Sequence, residues 1–137
     1  MQTAVAPRVD DERVGVLVVD DCPEARAAIG SAVGEMQGFG LVGSVASGEE
    51  ALDALPQLDP DLVLLDVRMP GLNGPQTCSM IRATGARPVV VLVSAHPRPE
   101  LPDSVDTCGA DAVLYKGDVS PRRLEALWQS VQLQRSS

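Results

Sequence analysis

Five runs of apolar, mostly β-branched residues divide the chain, at 14–19, 41–46, 62–65, 89–93 and 112–115. Each is short and continuous rather than alternating, which predicts strands buried on both faces rather than helices. Between them apolar residues recur at helical spacing. Residues 24–36 put Ala25, Ala28, Ile29, Ala32 and Val33 on one face, behind Pro23, a proline tolerated in a first helical turn. Ser47 is positioned to cap a helix over 48–55, with Glu50 able to reach back, and a helix over 75–83 follows the turn Gly71-Leu72-Asn73-Gly74. Ser120-Pro121 opens the last helix, whose apolar stripe is Leu124, Leu127, Trp128 and Val131. Pro97, Pro99 and Pro102 crowd the place of the fourth helix, so a short or distorted helix is expected around 103–108.

Five strands alternating with five helices predict a doubly wound, five-stranded parallel sheet. Residues 13–133 form one domain on this reading, with a flexible tail at 1–12 and a C-terminal tail at 134–137. Ligands of such sheets bind beyond the carboxyl ends of the strands. Those ends carry Asp20-Asp21, Asp66, Ser94 and Lys116.

That set has a chemistry. Three converging carboxylates repel one another and hold protons unless a cation relieves them. An all-oxygen donor set suits Mg²⁺. A divalent cation, an ammonium and a hydroxyl together make a site for a phosphoryl group, and a carboxylate can itself be the nucleophile that forms an acyl phosphate. The plainer reading of Asp20-Asp21 alone is a helix cap before Pro23; Asp66, Ser94 and Lys116 in register favour the site.

Composition sharpens this picture by exclusion. The 137 residues carry 11 basic and 19 acidic side chains, a formal charge of −8, which argues against a binder of nucleic-acid backbones. One Trp, one Tyr and one Phe leave no stacking platform for bases. Cys22, Cys78 and Cys108 are widely spaced and odd in number, so buried thiols are expected rather than a disulfide framework or a zinc site. No apolar run has the length of a signal peptide or a membrane span, and a cytoplasmic protein is expected. Neither G-x-x-x-x-G-K-[ST] nor G-x-G-x-x-G follows the first strand, which removes the common nucleotide-binding readings. Ten of the 11 basic residues are Arg; the lone lysine is Lys116.

Val18-Val19-Asp20-Asp21, the stretch Asp66-Val67-Arg68-Met69-Pro70-Gly71-Leu72-Asn73-Gly74, Val93-Ser94-Ala95 and Gly109-Ala110-Asp111-Ala112 with Lys116 resemble the receiver domain of bacterial two-component response regulators. The wording of the Asp66 stretch, with no proline after Lys116, is similar to NarL/LuxR-type members. The resemblance implies a flavodoxin-like (βα)5 fold with Asp66 as phosphoacceptor. It implies Mg²⁺ held by Asp21, Asp66 and the backbone carbonyl of Arg68, with Asp20 acting through water. Lys116 would pair with the phosphoryl group and Ser94 would supply the switch hydroxyl. Arg68, Ala95 and His96 flank the acyl phosphate and would tune its lifetime, large side chains at Arg68 and His96 slowing hydrolysis. The family's switch aromatic falls on Val113; Tyr115, of the same strand parity, is the substitute unless the aromatic switch is missing.

The implied partners are a sensor histidine kinase and a second copy of the chain in a homodimer, with no membrane and no direct nucleic-acid contact. DNA binding would belong to an output domain beyond residue 137, as in a NarL/LuxR-type transcriptional regulator; a stand-alone receiver is the other possibility. No enzymatic activity is expected beyond the domain's own phosphotransfer and dephosphorylation. Two competing functions remain: a pseudo-receiver that binds partners without phosphorylation, and a Mg²⁺-dependent aspartyl-phosphate phosphatase of the haloacid dehalogenase type. The phosphatase wants a D-x-D pattern after the first strand, where this chain has Asp20-Asp21.

Overall fold

The computed structural model describes residues 13–136; the tail expected at 1–12 lies outside the described residues. The strands are β1 (Val14–Val19), β2 (Phe39–Val45), β3 (Leu62–Asp66), β4 (Val89–Ser94) and β5 (Ala112–Tyr115). The helices are α1 (Pro23–Gly34), α2 (Gly48–Leu58), α3 (Gly74–Ala83), α4 (Ser104–Thr107) and α5 (Pro121–Arg135). Short 3₁₀ turns lie at Arg98–Glu100 and Lys116–Asp118. All strand pairs are parallel, in the order β2-β1-β3-β4-β5.

Strand parity divides the core into two layers. Leu17, Val19, Val63, Leu65, Val90 and Leu92 face α2, α3 and α4, where Ala51, Leu55, Cys78, Ile81 and Val105 meet them. Val16, Val18, Leu62, Leu64, Val89 and Val91 face α1 and α5, against Ile29, Val33, Leu124 and Val131. The central strands β3 and β4 are buried along their whole length, which explains their unbroken apolar runs. The expectation of burial on both faces fails for β2, an edge strand. Val42 is left over where the β1–β2 register shifts, and Leu41 and Val42 are exposed.

Other expectations are corrected at element ends. α2 continues past Pro56 to Leu58 instead of stopping at residue 55. The proline forfeits one backbone bond, but Leu58 packs on the core and Asp59, left-handed at φ 41°, closes the helix on the Leu55 carbonyl. α4 is a single turn, shorter than 103–108, because the prolines before it leave 3₁₀ and extended backbone. Residues 134 and 135, read as tail, belong to α5. Arg135 pairs with Asp111 and donates to the carbonyls of Arg87 and Pro88, pinning the helix end to the sheet. Trp128 is half-buried, edge-on to Phe39 at 5.9 Å, and Ala28 points to solvent. No helix among the described residues is long and apolar enough to cross a membrane.

Leu92→Ala should lower unfolding free energy by about 2–5 kcal/mol, because Leu92 is fully enclosed in the central strand. Met80→Ala, on the exposed face of α3, should cost less than about 1 kcal/mol. Denaturant melts of the two variants check the contrast.

Candidate functional site

The strand order reverses direction between β1 and β3. From β1 the chain steps outward to β2 and then crosses back to β3, leaving a crevice between the carboxyl ends of β1 and β3. Asp20 and Asp21 follow β1 and Asp66 ends β3, so the crevice is where the acidic groups gather. One carboxylate oxygen from each of the three lies within 4.8 Å of the others.

Each acid is held differently. Asp20 is fully buried; its Oδ1 accepts from the backbone N–H of Cys22 at 2.9 Å, and its carbonyl accepts from Arg26 at 2.8 Å. Asp20 Oδ2 lies 2.9 Å from the Lys116 ammonium, its ion-pair partner. Asp21 is exposed at the mouth. Asp66 is buried, with Oδ1 3.7 Å from Lys116 Nζ, and the Arg68 backbone N–H donates to its carboxylate.

The electrostatics follow from this crowding. Burial, then the neighbouring Asp20 charge, push the Asp66 carboxyl up from 3.8 to about 7, although Lys116 opposes the rise. Burial works against the charge on Lys116, but Asp20 and Asp66 outweigh it and hold the ammonium above its ordinary pKa. One ammonium faces three carboxylates. Three clustered carboxylates that one ammonium cannot neutralise, an all-oxygen donor set, fit a hard divalent cation such as Mg²⁺.

The loop after β3 is tightly built. Asn73 and Gln76 form a reciprocal capping box at the start of α3. Gly74 lies so close to the Asp66 carbonyl that a side chain there would collide with it, and its N–H donates to Val67. The glycine of the motif thus lets α3 begin directly beside Asp66.

At the rim, Ser94 is buried and its hydroxyl is committed locally, donating to the His96 carbonyl at 2.8 Å and accepting from the His96 N–H at 2.9 Å. Arg68 is exposed and reaches the Glu100 carbonyl at 3.4 Å; Ala95 is exposed, and His96 lies 3.6 Å from the Glu100 carboxylate. Val113 packs against the core, whereas Tyr115 is 47% exposed with its ring against Gly117. The structure therefore brings Asp20, Asp21, Asp66 and Lys116 together, places Ser94, Arg68, Ala95 and His96 around them, and separates the environments of Val113 and Tyr115. A cleft of about 690 Å³ at the amino ends of the strands, opposite the crevice, is lined by none of these residues.

Arg26, Glu49 and Glu100 were not singled out from sequence. Arg26 lies one helical turn beyond Cys22, a spacing that returns a side chain over the residues preceding the helix. Glu49, whose carboxylate accepts from Leu72 N–H at 3.3 Å, and the Glu100 carbonyl, which accepts from Arg68, act across tertiary contacts that no local spacing encodes, whereas the Glu100 carboxylate lies at i,i+4 from His96, a spacing visible in the sequence.

The sequence pattern of the family described as the response regulator receiver domain matches residues 16–129. The chain belongs to that family. The receiver is 35% identical over 126 residues to the nitrate/nitrite response regulator protein NarL of Escherichia coli, covering 88% of this chain and 56% of that protein. It is 43% identical over 84 residues to the positive alginate biosynthesis regulatory protein of Pseudomonas aeruginosa, covering 61% of this chain and 34% of that protein. The signal receiver domain of NarL from Mycobacterium tuberculosis superposes with a TM-score of 0.79 at 31% identity, covering 88% of this chain and 98% of that one. The receiver thus spans about half the length, or less, of these curated relatives.

Asp66→Asn should stabilise the cation-free protein at pH 8 by about 1–2 kcal/mol. A carboxyl whose pKa is raised on folding contributes stability below pH 3.8 that is lost as pH rises through about 7. The gain should therefore shrink towards pH 4, as melts of parent and variant across that range would show.

Proposed function

We propose that this receiver accepts a phosphoryl group on Asp66 from the phosphohistidine of a sensor histidine kinase, with Mg²⁺, and that the acyl phosphate changes its partner or dimer contacts. The observation that carries the proposal is the Lys116 ammonium held between the buried carboxylates of Asp20 and Asp66. An oxygen of Asp66 attacks phosphorus, the P–O bond forms as the P–N bond to the donor imidazole breaks, and the imidazole leaves. Lys116 neutralises phosphoryl oxygens. As a compact point charge it serves where a planar guanidinium would not fit as well.

Asp21, Asp66 and the Arg68 carbonyl are the groups that would hold Mg²⁺, with Asp20 acting through water. When bound, the cation supplies charge neutralisation that lets two anionic groups approach. Ser94 has one proton and gives it to the His96 carbonyl. Donating to a phosphoryl oxygen requires that bond to break, which frees the residue after Ala95. That linkage makes Ser94 the switch hydroxyl. Tyr115, exposed at the end of β5, is the side chain able to follow, whereas Val113 is held in the core. Arg68 and His96 at the rim shield the acyl phosphate from water, and Ala95 leaves room between them. We assign this chain to a NarL/LuxR-type transcriptional regulator whose DNA contacts lie outside it, a reading supported by its similarity to the nitrate/nitrite response regulator protein NarL.

With Mg²⁺ and acetyl phosphate the protein should gain about 80 Da, the mass of one phosphoryl group. Asp66→Ala or removal of the cation should abolish the gain, and Lys116→Ala should slow it at least about tenfold. A gain that survives Asp66→Ala refutes the assignment. Arg68→Ala and His96→Ala should each speed loss of the phosphoryl group several-fold; rates equal to the parent's would remove their shielding role.

A further inference from the structure

The phosphoryl chemistry makes no use of Arg26, a half-buried side chain of α1. Its backbone N–H closes the first turn of the helix on the Cys22 carbonyl at 2.9 Å, and that turn returns its guanidinium over the end of β1. There Nη1 donates to the Asp20 carbonyl at 2.8 Å. The neighbouring strand cannot serve this carbonyl. β2 ends at Val45, whose own carbonyl takes the Asp20 N–H at 3.1 Å, and Arg26 supplies the donor that a longer β2 would have given. Asp21 therefore lies between two peptide units that are both held. Arg26 holds the carbonyl of the unit before it, and Asp20 Oδ1 holds the Cys22 N–H of the unit after it at 2.9 Å. Each unit is planar, so the two bonds together set the φ and ψ of Asp21 and the direction of its Cβ. Asp21 depends on that direction. Its exposed carboxylate has no hydrogen bond or ion pair among the described residues, yet one of its oxygens lies within 4.8 Å of oxygens of Asp20 and Asp66.

We propose that Arg26 is a positioning residue of the cation site: by holding the Asp20 carbonyl it keeps the Asp21 carboxylate turned towards Asp66. The assignment rests on the reading of Asp21, Asp66 and the Arg68 carbonyl as the groups that hold Mg²⁺. Arg26 acts on that site in two ways of opposite sign. Its guanidinium is always charged, and a positive charge one peptide away from Asp21 repels a cation. Its hydrogen bond fixes the peptide that aims a cation ligand, and losing the partner that orients a ligand costs roughly 10–100-fold in metal affinity. The second effect outweighs the first, so Arg26 favours the cation through Asp21 in spite of its charge.

The test titrates the full chain and its variants with MgCl₂ and follows the backbone amide signals of Asp21, Asp66 and Arg68 by NMR. Arg26→Met keeps the apolar stem and removes both charge and donors; it should weaken Mg²⁺ binding about tenfold. Arg26→Gln, neutral and two bonds shorter, should behave like Arg26→Met, so the outcome does not hang on the folding of one variant. Arg26→Lys, with a charged donor on a stem one bond shorter, should stay within about threefold of the parent. In an Asp21→Ala background Arg26→Met should change the affinity less than about twofold, because no carboxylate is left to aim. Affinity unchanged in both neutral variants marks a merely structural side chain, and tighter binding marks an electrostatic one; either overturns the proposal, as does a tenfold loss that persists with Asp21→Ala. A parent chain that binds no Mg²⁺ overturns the cation reading itself, and the positioning role with it.

Discussion

One ammonium among three carboxylates is the constraint on which the rest of the site depends. Lys116 lies 2.9 Å from Asp20 and 3.7 Å from Asp66, and Asp21 adds a third negative charge at the mouth. The charges do not balance. Asp66 responds by holding its proton to about pH 7. A site left in this state gains from added positive charge, which must be in place before an anion can share Lys116.

The fold brings these groups together without asking any loop to reach far. Because β1 and β3 are neighbours while β2 lies outside β1, the residues that follow β1 and end β3 meet at one crevice. β5 lies two strands away from β3, and a flexible lysine stem from its end covers the distance. Before β5, Asp111 gathers Arg82 and Arg135 in charge-assisted bonds at the end of the sheet opposite the crevice. The reactive groups thus sit on a sheet whose other end is pinned.

Much of this was legible in the sequence because the site residues sit immediately after strands that announce themselves. β1 and β5 have the bounds that their apolar runs suggest, and Asp20, Asp21, Asp66 and Lys116 follow from counting to the ends of such runs. The edge character of β2 was hidden, since Leu41 and Val42 look like core residues and only the sheet order exposes them. α2 outran the stop expected at Pro56 because Leu58 packs on the core. Arg135 read as tail because its partners, Asp111 and two backbone carbonyls, are distant in the chain. The contact of Arg68 with the Glu100 carbonyl was invisible for the same reason. Family membership came from motif and fold together, whereas the roles proposed for individual residues come from the resemblance, with the gathering of Asp20, Asp21, Asp66 and Lys116 in support.

The central claim is that Asp66 is an acceptor whose charge is managed by Lys116 and a divalent cation. The most direct measurement is a crystal structure grown with Mg²⁺ and beryllofluoride. The account predicts beryllium bonded to an Asp66 carboxylate oxygen, a fluorine paired with Lys116, and the cation bound by Asp21, Asp66 and the Arg68 carbonyl. Beryllofluoride on another residue, or an Asp66 adduct formed with Lys116 still turned to Asp20 and no cation in the crevice, would contradict it.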